Sequence, residues 1–378
     1  MRSSSASGAS LTRSVVEWVA SLDPWPTGGF GIERMRALLG VLGDPQTRYP
    51  AVHVVGTNGK STTTRLTEAL LVDAGLSVGA YLSPHVRGWS ERIRIGGAEA
   101  DFERAVARVQ PDAVALGATQ FEVLTAAALL AFAEAEIDVA VVEAGLGGRH
   151  DATNVLRTRV VVLTNVALDH MDVLGDTREA IAAEKLAVVQ PGSVVVLGDS
   201  EWEDEARSNG AAAVVLTGGS NLALALAAAE AFLERPVDPH AADDVTLPGR
   251  LERRSEHPLE IWDGAHNLAG VGYLLPRLPD REYVLVCSIL RDKRPELMLE
   301  ALSVLGGTLI ATESANARSL QAGELAARAE PYFRHVEPLP DPQAARGRAL
   351  ALAGGEGAVV VTGSLYLLAE LSGHGYNH

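Results

Sequence analysis

A glycine-rich segment near position 56 contains the residue types that bind nucleotide phosphates. It follows the apolar run 52–55 and consists of Gly56, Thr57, Asn58, Gly59, Lys60, Ser61, Thr62 and Thr63. In a phosphate-binding loop, glycines let backbone N–H groups approach the phosphates, a lysine neutralises their oxygens and a hydroxyl contacts Mg²⁺. The strict spacing would require a glycine at position 54, which is valine, so we predict a compact variant that opens a helix. The alternative is a glycine-rich turn with an incidental lysine.

Three further side chains could complete a site around such a loop. Glu143 follows the apolar run 137–142, and His170 follows the run 160–165. A carboxylate at the end of a parallel strand, beside a phosphate loop, is suited to contact Mg²⁺. Taken alone, Glu143 could instead cap a helix or face solvent, and His170 could be a structural hydrogen-bonding residue. Lys185 lies on a predicted helix, and its own context favours an exposed surface lysine.

The elements that would position these residues alternate between apolar strands and helices. We predict strands at 52–55, 78–82, 137–142, 160–163, 194–197, 260–262, 283–287, 308–312 and 358–362. We predict helices at 61–74, 102–109, 121–135, 177–189 and 222–233, with further helices between the later strands. Continuous apolar strands that alternate with helices form parallel sheets covered on both faces, so the predicted fold class is α/β.

A chain of 378 residues is long enough for two domains. The polar segment 234–244 contains two prolines and separates two series of strands, so we interpret it as an inter-domain linker and hinge. The expected division is a variable segment 1–29, an ATP-binding domain 30–244 and a smaller C-terminal domain 245–378. We expect the ligand site in the cleft between the two domains.

Composition excludes several classes of protein. The net charge of −16 argues against binding nucleic acid through bulk charge. Cys287 is the single cysteine, which leaves no intramolecular disulfide and suits a reducing cytoplasm. No apolar run approaches the roughly 20 residues that span a membrane. The serine-rich start, 1–10, lacks the apolar centre of a signal peptide.

Taken in order, the motifs resemble the folylpolyglutamate synthase/dihydrofolate synthase family of the Mur ligase superfamily. The matching segments, which begin near Phe30, are HVVGTNGK at 53–60, YLSPH at 81–85, ERI at 91–93, TQFE at 119–122, EAGLGGRHDATN at 143–154, LDH at 168–170, EK at 184–185, PGRLE at 248–252, DGAHN at 263–267, DK at 292–293 and TGSLY at 362–366. The resemblance implies an N-terminal P-loop Mur-ligase-like ATPase domain with a parallel sheet and a smaller Rossmann-like C-terminal domain.

The same resemblance implies the reaction. ATP would phosphorylate the carboxylate of dihydropteroate or a folate, and the amino group of L-glutamate would displace phosphate from the acyl phosphate. Mg²⁺ would assist, and the enzyme would be a monomer in the cytoplasm with no nucleic-acid or membrane partner. Lys185 would carry a carbamate formed with CO₂.

Site residues are carried over position by position. The ATP contacts implied are the loop from Gly56 to Thr63 together with Asn221, Arg250, Asp263, His266 and Asn267. The metal contacts implied are Ser61 or Thr62, Ser83, Glu143 and His170, and the catalytic set is Lys60, Glu143, His170 and Lys185. The pterin surface implied is formed by Ser83, Pro84, His85, Thr119, Phe121, Glu122, His150, Asp151 and Ala152. Arg250 could instead form a hinge salt bridge, and Phe121 could be a core residue.

One segment departs from the family pattern. Between positions 198 and 221 the chain is short and lacks the His-Gln pair that the family carries before Asn221. Three alternatives stay open at this stage. The enzyme could make dihydrofolate, extend folylpolyglutamates or do both. The substrate could be a different carboxylate, or the chain could be an inactive nucleotide-binding homologue.

Overall fold

The computed structural model describes residues 14–26, 29 and 31–373. The predicted variable segment 1–29 therefore lies mostly outside the described residues, as do the serine-rich start and Phe30. Two sheets organise the described chain, one with eight strands and one with six.

The first sheet has the strand order β4-β3-β2-β5-β1-β6-β7-β8. Its strands are β1 (Ala51–Val55), β2 (Val78–Tyr81), β3 (Ile93–Ile95), β4 (Ala98–Glu99), β5 (Val139–Glu143), β6 (Thr158–Leu163), β7 (Val194–Leu197) and β8 (Ala213–Leu216). All pairs are parallel except β2–β3 and β3–β4, which are antiparallel. The central strands are buried because helices cover both faces, as the continuous apolar runs predicted.

Nine helices surround this sheet in the described chain. They are α1 (Val15–Ala20), α2 (Glu33–Val41), α3 (Lys60–Asp73), α4 (Phe102–Leu116), α5 (Gln120–Glu134), α6 (Met171–Leu174), α7 (Arg178–Leu186), α8 (Glu203–Ser208) and α9 (Asn221–Leu233). Helices α3, α5, α7 and α9 begin and end within a few residues of the predicted positions, whereas α1, α2, α6 and α8 were not predicted. Helices α4 and α5 pack in one core cluster, and α3 and α9 pack in another on the opposite face. Helix α4 continues past the predicted end at 109, through Pro111, because Ala113 on its next turn is buried in the core.

The second sheet has the order β13-β12-β11-β14-β10-β9. Its strands are β9 (Glu252–Glu256), β10 (Leu259–Trp262), β11 (Val284–Cys287), β12 (Thr308–Ala311), β13 (His335–Pro338) and β14 (Ala358–Thr362). Its helices are α10 (Leu268–Leu274), α11 (Pro295–Leu302), α12 (Ala322–Ala329), α13 (Pro342–Ala353) and α14 (Leu365–Leu371). Only the β9–β10 pair is antiparallel.

The predicted α/β fold with parallel sheets is confirmed, and the antiparallel pairs lie only towards the edges of the two sheets in the described chain. The sequence reading missed strands β3, β4, β8, β9 and β13, which are short and lie at or near a sheet edge. Edge strands face solvent on one side, so β9 and β13 carry polar residues and lack the apolar signature of a central strand.

The predicted linker is only partly free of the first domain. Within 234–244, a short turn at Pro239–Ala242 packs on helix α3, and Ala242 is buried there. The chain crosses to the second sheet after this turn, where Gly249 and Leu251 take left-handed backbone conformations with φ of 63° and 48°. The hinge stays a prediction; because positions 239–242 pack on helix α3, we expect bending at 245–251 rather than within 234–244.

Candidate active site

A cavity of about 870 Å³ lies between the two sheets and is lined by residues of both. Its size suits a ligand larger than a single nucleotide. The predicted site residues that line it are Gly56, Thr57, Asn58, Gly59, Lys60, Ser61, Thr62, Ser83, Pro84, Thr119, Phe121, Glu122, Glu143, His150, Asp151, Ala152, His170, Lys185, Asn221, Arg250, Asp263 and His266. One cavity is therefore lined by residues as far apart in the sequence as Gly56 and His266.

Three predicted site residues do not line this cavity. Thr63 lies in the first turn of helix α3 and is fully buried, and His85 is buried against Arg92 and Trp89. Asn267 is buried and bonds across the two domains instead.

The phosphate loop joins β1 to α3, as predicted. Gly56 and Gly59 have φ of 146° and 82°. A Cβ atom at Gly56 would clash with Thr164, and one at Gly59 would clash with Asn221. Lys60 Nζ donates to the carbonyl oxygens of Gly56 at 3.2 Å and Thr57 at 3.3 Å. The lysine side chain therefore folds back over its own loop.

Lys185 lies beneath the same loop. Only 4 % of the residue is exposed, and its Nζ donates to the carbonyl oxygen of Gly56 at 3.0 Å. Burial, followed by the charge of Lys60, lowers the pKa of Lys185 to about 7. The alternative of an exposed surface lysine is therefore wrong.

The residues around Glu143 fit a magnesium ion. Glu143 is 2 % exposed, accepts a bond from Ser61 Oγ at 3.0 Å and another from the Ser83 amide at 3.0 Å. Burial raises the pKa of Glu143, and the charge of Lys60 opposes that shift. No basic side chain in the described chain forms an ion pair with this buried carboxylate, and carboxylate and hydroxyl oxygens are the ligands that Mg²⁺ prefers.

The metal contacts differ in their support. Of the two hydroxyls left open, that of Ser61 contacts Glu143, whereas Thr62 lines the cavity without such a bond. His170 lines the same cavity with φ of 50°, and burial lowers its pKa to about 4, so its imidazole is neutral near pH 7. In the described part of the chain, no group of three or more His, Cys, Asp or Glu side chains is arranged to hold a metal ion by itself, so phosphate and water oxygens would complete the shell.

The predicted pterin surface forms the wall near helix α5. Phe121 lines the cavity and packs on Tyr81 with ring centroids 6.1 Å apart. It therefore contacts both the core and the cavity, and it is not a core residue alone. Thr119 and Glu122 cap helix α5 reciprocally, and Glu122 also pairs with Arg34 at 2.7 Å. Asp151 is buried and accepts bonds from the Leu146 and Thr153 amides, which fixes the loop that presents His150 and Ala152.

The opposite wall comes from the second sheet. Asp263 follows β10 and accepts bonds from the amides of Leu251 and Ala265, both at 2.9 Å. Burial raises its pKa, and the charge of Arg250 opposes that shift. Arg250, Asp263 and His266 therefore line the cavity together. Arg250 forms no ion pair among the described residues, which argues against the alternative of a hinge salt bridge.

Polar contacts join the two walls. Lys293 Nζ forms a buried ion pair with Asp169, and Asn267 Nδ2 donates to the same carboxylate at 2.9 Å. Asn267 also exchanges amide hydrogen bonds with Asn58 at 3.1 and 3.2 Å. Burial would raise the pKa of Asp169, but His170, which is protonated at the acid pH where Asp169 titrates, and the Lys293 ammonium hold that pKa well below its usual range.

Sequence reasoning did not assign Lys293 to the site, although a signal was present. The chain contains only three lysines, at 60, 185 and 293, and all three line this cavity. The sequence contains 29 arginines, so arginine supplies the basic side chains elsewhere. Lysine is therefore confined to the cavity, where a compact amine differs most in function from a guanidinium.

Comparison with known proteins gives consistent matches along the chain. Residues 54–236 match the Mur ligase middle domain, and residues 249–365 match the Mur ligase, glutamate ligase domain. A Mycobacterium tuberculosis dihydrofolate synthase/folylpolyglutamate synthase is 33% identical over 80% of this chain and 78% of its own. The Bacillus subtilis protein of the same name is 30% identical over 90% of this chain and 94% of its own.

Solved structures agree. The structure of E. coli FolC in complex with DHPP and ADP has a TM-score of 0.86 at 30% identity, covering 95% of this chain and 97% of that one. A Yersinia pestis bifunctional folylpolyglutamate synthase/dihydrofolate synthase with Mn, AMPPNP and L-glutamate bound has a TM-score of 0.85 at 30% identity, covering 96% of this chain and 98% of that one.

Proposed function

Because the chain belongs to the dihydrofolate synthase/folylpolyglutamate synthase family of Mur ligases, we propose that it joins L-glutamate to a pterin carboxylate at the expense of ATP. It is an ATP-dependent acid–amino-acid ligase that makes dihydrofolate from dihydropteroate, extends folates to folylpolyglutamates, or does both. The observation that carries the assignment is the single cavity that unites the phosphate loop, the buried Glu143 and the Phe121 wall with the nucleotide cluster of the second sheet.

The reaction proceeds in two steps. A carboxylate oxygen of the pterin substrate attacks the γ-phosphorus of ATP, the bond to the β–γ bridging oxygen breaks, and ADP leaves. The amino group of glutamate then attacks the acyl carbon, loses a proton and displaces inorganic phosphate. A carboxylate is a poor acyl donor, and phosphorylation provides the leaving group that it lacks.

The residues of the phosphate loop act mainly by positioning and charge. Lys60 neutralises the phosphate oxygens, and the amides of the loop orient them at the start of helix α3. Mg²⁺ would be held by Glu143, Ser61, Ser83 and His170, and it would neutralise the charge that develops on the transferred phosphoryl group. Arg250, Asp263 and Asn221 would hold the nucleoside from the two sides of the cleft.

Lys185 is proposed to carry a carbamate. A neutral amine adds to CO₂ and releases one proton, which gives an N-carboxylate anion. The pKa of about 7 leaves a substantial neutral fraction near neutral pH, and burial next to Gly56 places the product under the phosphate loop. The alternative is an unmodified lysine that pairs with Glu184 or another helix-face carboxylate.

We further propose that the enzyme acts as a cytoplasmic monomer with the division 30–244 and 245–378. The buried single cysteine suits a reducing compartment, and within the described ranges no helix has the length and apolar character needed to cross a membrane. Light scattering on the purified chain should give the mass of one copy, 39.7 kDa.

ADP formation tests the function. The purified chain with ATP and Mg²⁺ should release ADP only when L-glutamate is present together with dihydropteroate or with tetrahydrofolate. Comparison of these two acceptors decides between one activity and both. Turnover with a different carboxylate alone would establish the Mur-type alternative, and nucleotide binding without turnover under any condition would establish the inactive homologue.

A further inference from the structure

Arg92 is a buried cation among the residues that line the cavity. It ends the turn Trp89–Arg92 and precedes β3, and it lines the cavity although only 5 % of it is exposed. Its carbonyl oxygen accepts a bond from the Leu82 amide at 3.0 Å, which fixes it beside the segment that contains Ser83.

The side-chain partners of Arg92 are neutral groups. Its Nε donates to His85 Nδ1 at 2.9 Å, so His85 accepts this bond as an uncharged imidazole. The guanidinium lies over the ring of Trp89, 5.2 Å from its centroid. The hydroxyl of Tyr81 is also close enough for the charge of Arg92 to oppose the effect of burial on its pKa, which is raised to about 12.

Several other half-buried arginines have a carboxylate partner, whereas Arg250 on the opposite wall, like Arg92, has no ion pair among the described residues. Arg94 pairs with Glu68, Arg346 pairs with Glu260, and Arg34 pairs with Glu122. No carboxylate among residues 14–26, 29 and 31–373 forms an ion pair with Arg92. A buried charge without a counter-charge is costly, so a site that retains one is suited to receive an anion.

The position of Arg92 identifies which anion it can meet. Tyr81, which neighbours Arg92, packs on Phe121 on the pterin wall. Two residues along from Tyr81, the Ser83 amide donates to Glu143 at the metal site. Arg92 thus contacts the segment 81–82, which joins the Phe121 wall to Ser83, and Arg92, Phe121 and Ser83 all line the same cavity as Glu143. A pterin stacked at Phe121 with its carboxylate towards the γ-phosphate would bring that carboxylate to this segment.

We propose that Arg92 binds the carboxylate of the pteroyl substrate, the group that is phosphorylated. This inference rests on the proposed function and adds a residue that determines substrate charge. A guanidinium presents N–H groups in a planar fork that matches both oxygens of a carboxylate. Its charge also reduces the repulsion between the carboxylate and the phosphates of ATP as the two anions approach.

The test compares two ligands of equal shape and different charge. Pteroate and its primary carboxamide are titrated separately, by calorimetry, into the protein with Mg²⁺ and a non-hydrolysable ATP analogue. The wild-type protein should bind pteroate about 10- to 100-fold more tightly than the carboxamide, as expected for hydrogen bonds to a charged group. In Arg92→Met this preference should disappear, with carboxamide affinity within about threefold of wild type. Arg92→Lys should retain part of it.

Arg108→Met is the matched control, because Arg108 is an exposed arginine on α4 that pairs only with Glu134 among the described residues. It should keep the wild-type preference for pteroate. Retention of the full preference in Arg92→Met, or an equal loss of affinity for both ligands, would overturn the proposal, since the second result indicates a packing role. Equal wild-type affinities would overturn it without any variant. A wild-type protein that binds neither ligand would reject the proposed function as well.

Discussion

The two walls of the cleft are built in the same way but complete their polar contacts differently. On both, side chains follow the carboxyl ends of parallel strands, as Glu143 does on β5 and Asp263 does after β10. The Glu143 carboxylate is satisfied within its own wall, by Ser61 and Ser83. Lys293 and Asn267, in contrast, find their partner Asp169 across the cleft.

The difference separates a preformed site from one that is completed by contact between domains. The first wall fixes Glu143, the proposed Mg²⁺ ligand, and the proposed pterin surface through its own hydrogen bonds, and most contacts of the phosphate loop are also within this wall. The second wall supplies charges whose positions depend on the junction near 245–251. Losses on the first wall should therefore abolish chemistry, whereas losses on the second should weaken closure of the cleft.

The largest effect is expected at Lys60. Lys60→Ala should reduce ligation by about 10³-fold or more, because Lys60 is the loop residue proposed to neutralise the phosphate oxygens. The melting temperature should stay near that of the wild type, since Lys60 is half-buried and bonds only to its own loop. Turnover within about tenfold of wild type, roughly 1.4 kcal/mol of barrier, would contradict the phosphate-loop assignment.

Lys185 tests whether the first wall needs a modification to be complete. Lys185→Ala should be nearly inactive and should regain activity with added acetate or formate, which can occupy the vacated space. Labelling with ¹³CO₂ should give one carbamate signal that is absent from the variant, and only three lysines compete for the label. Formation should increase as pH rises through about 7, where the neutral amine fraction grows. Near-normal activity of Lys185→Ala without added carboxylate would contradict the proposal that Lys185 carries a carbamate.

Lys293 tests the second wall. Lys293→Met leaves the buried Asp169 without its cation, and the cleft should open to hydrate that carboxylate. We expect kcat to fall by about 10- to 100-fold with ATP affinity changed far less. Lys293→Arg keeps the positive charge, so its kcat should lie between those of the wild type and Lys293→Met. A loss of ATP affinity as large as the loss of kcat would remove the distinction between the walls.

The smallest effect is a change of shape. Small-angle scattering should show compaction when a non-hydrolysable ATP analogue and a folate are added, and Lys293→Met should compact less. Scattering profiles that do not change with ligand would count against a hinge at 245–251.

How far the sequence anticipated this arrangement also differs between the walls. The apolar runs predicted the central strands, and the segment from Gly56 to Thr63 predicted the phosphate loop, because local spacing determines both. The burial of Lys185 and the pairing of Lys293 with Asp169 depend on elements far apart in the chain, which no local pattern encodes. The edge strands were missed for a related reason, since exposure on one side permits polar residues such as those of β9.

Isotope transfer tests the central claim, that this cleft activates a pterin carboxylate as an acyl phosphate. Dihydropteroate with both carboxylate oxygens replaced by ¹⁸O is incubated with the enzyme, ATP, Mg²⁺ and L-glutamate, and the inorganic phosphate is analysed by mass spectrometry. One carboxylate oxygen attacks phosphorus and leaves with it, so each phosphate released should carry a single ¹⁸O and the new amide should retain the other. Phosphate without ¹⁸O, formed together with the amide product, would contradict the account.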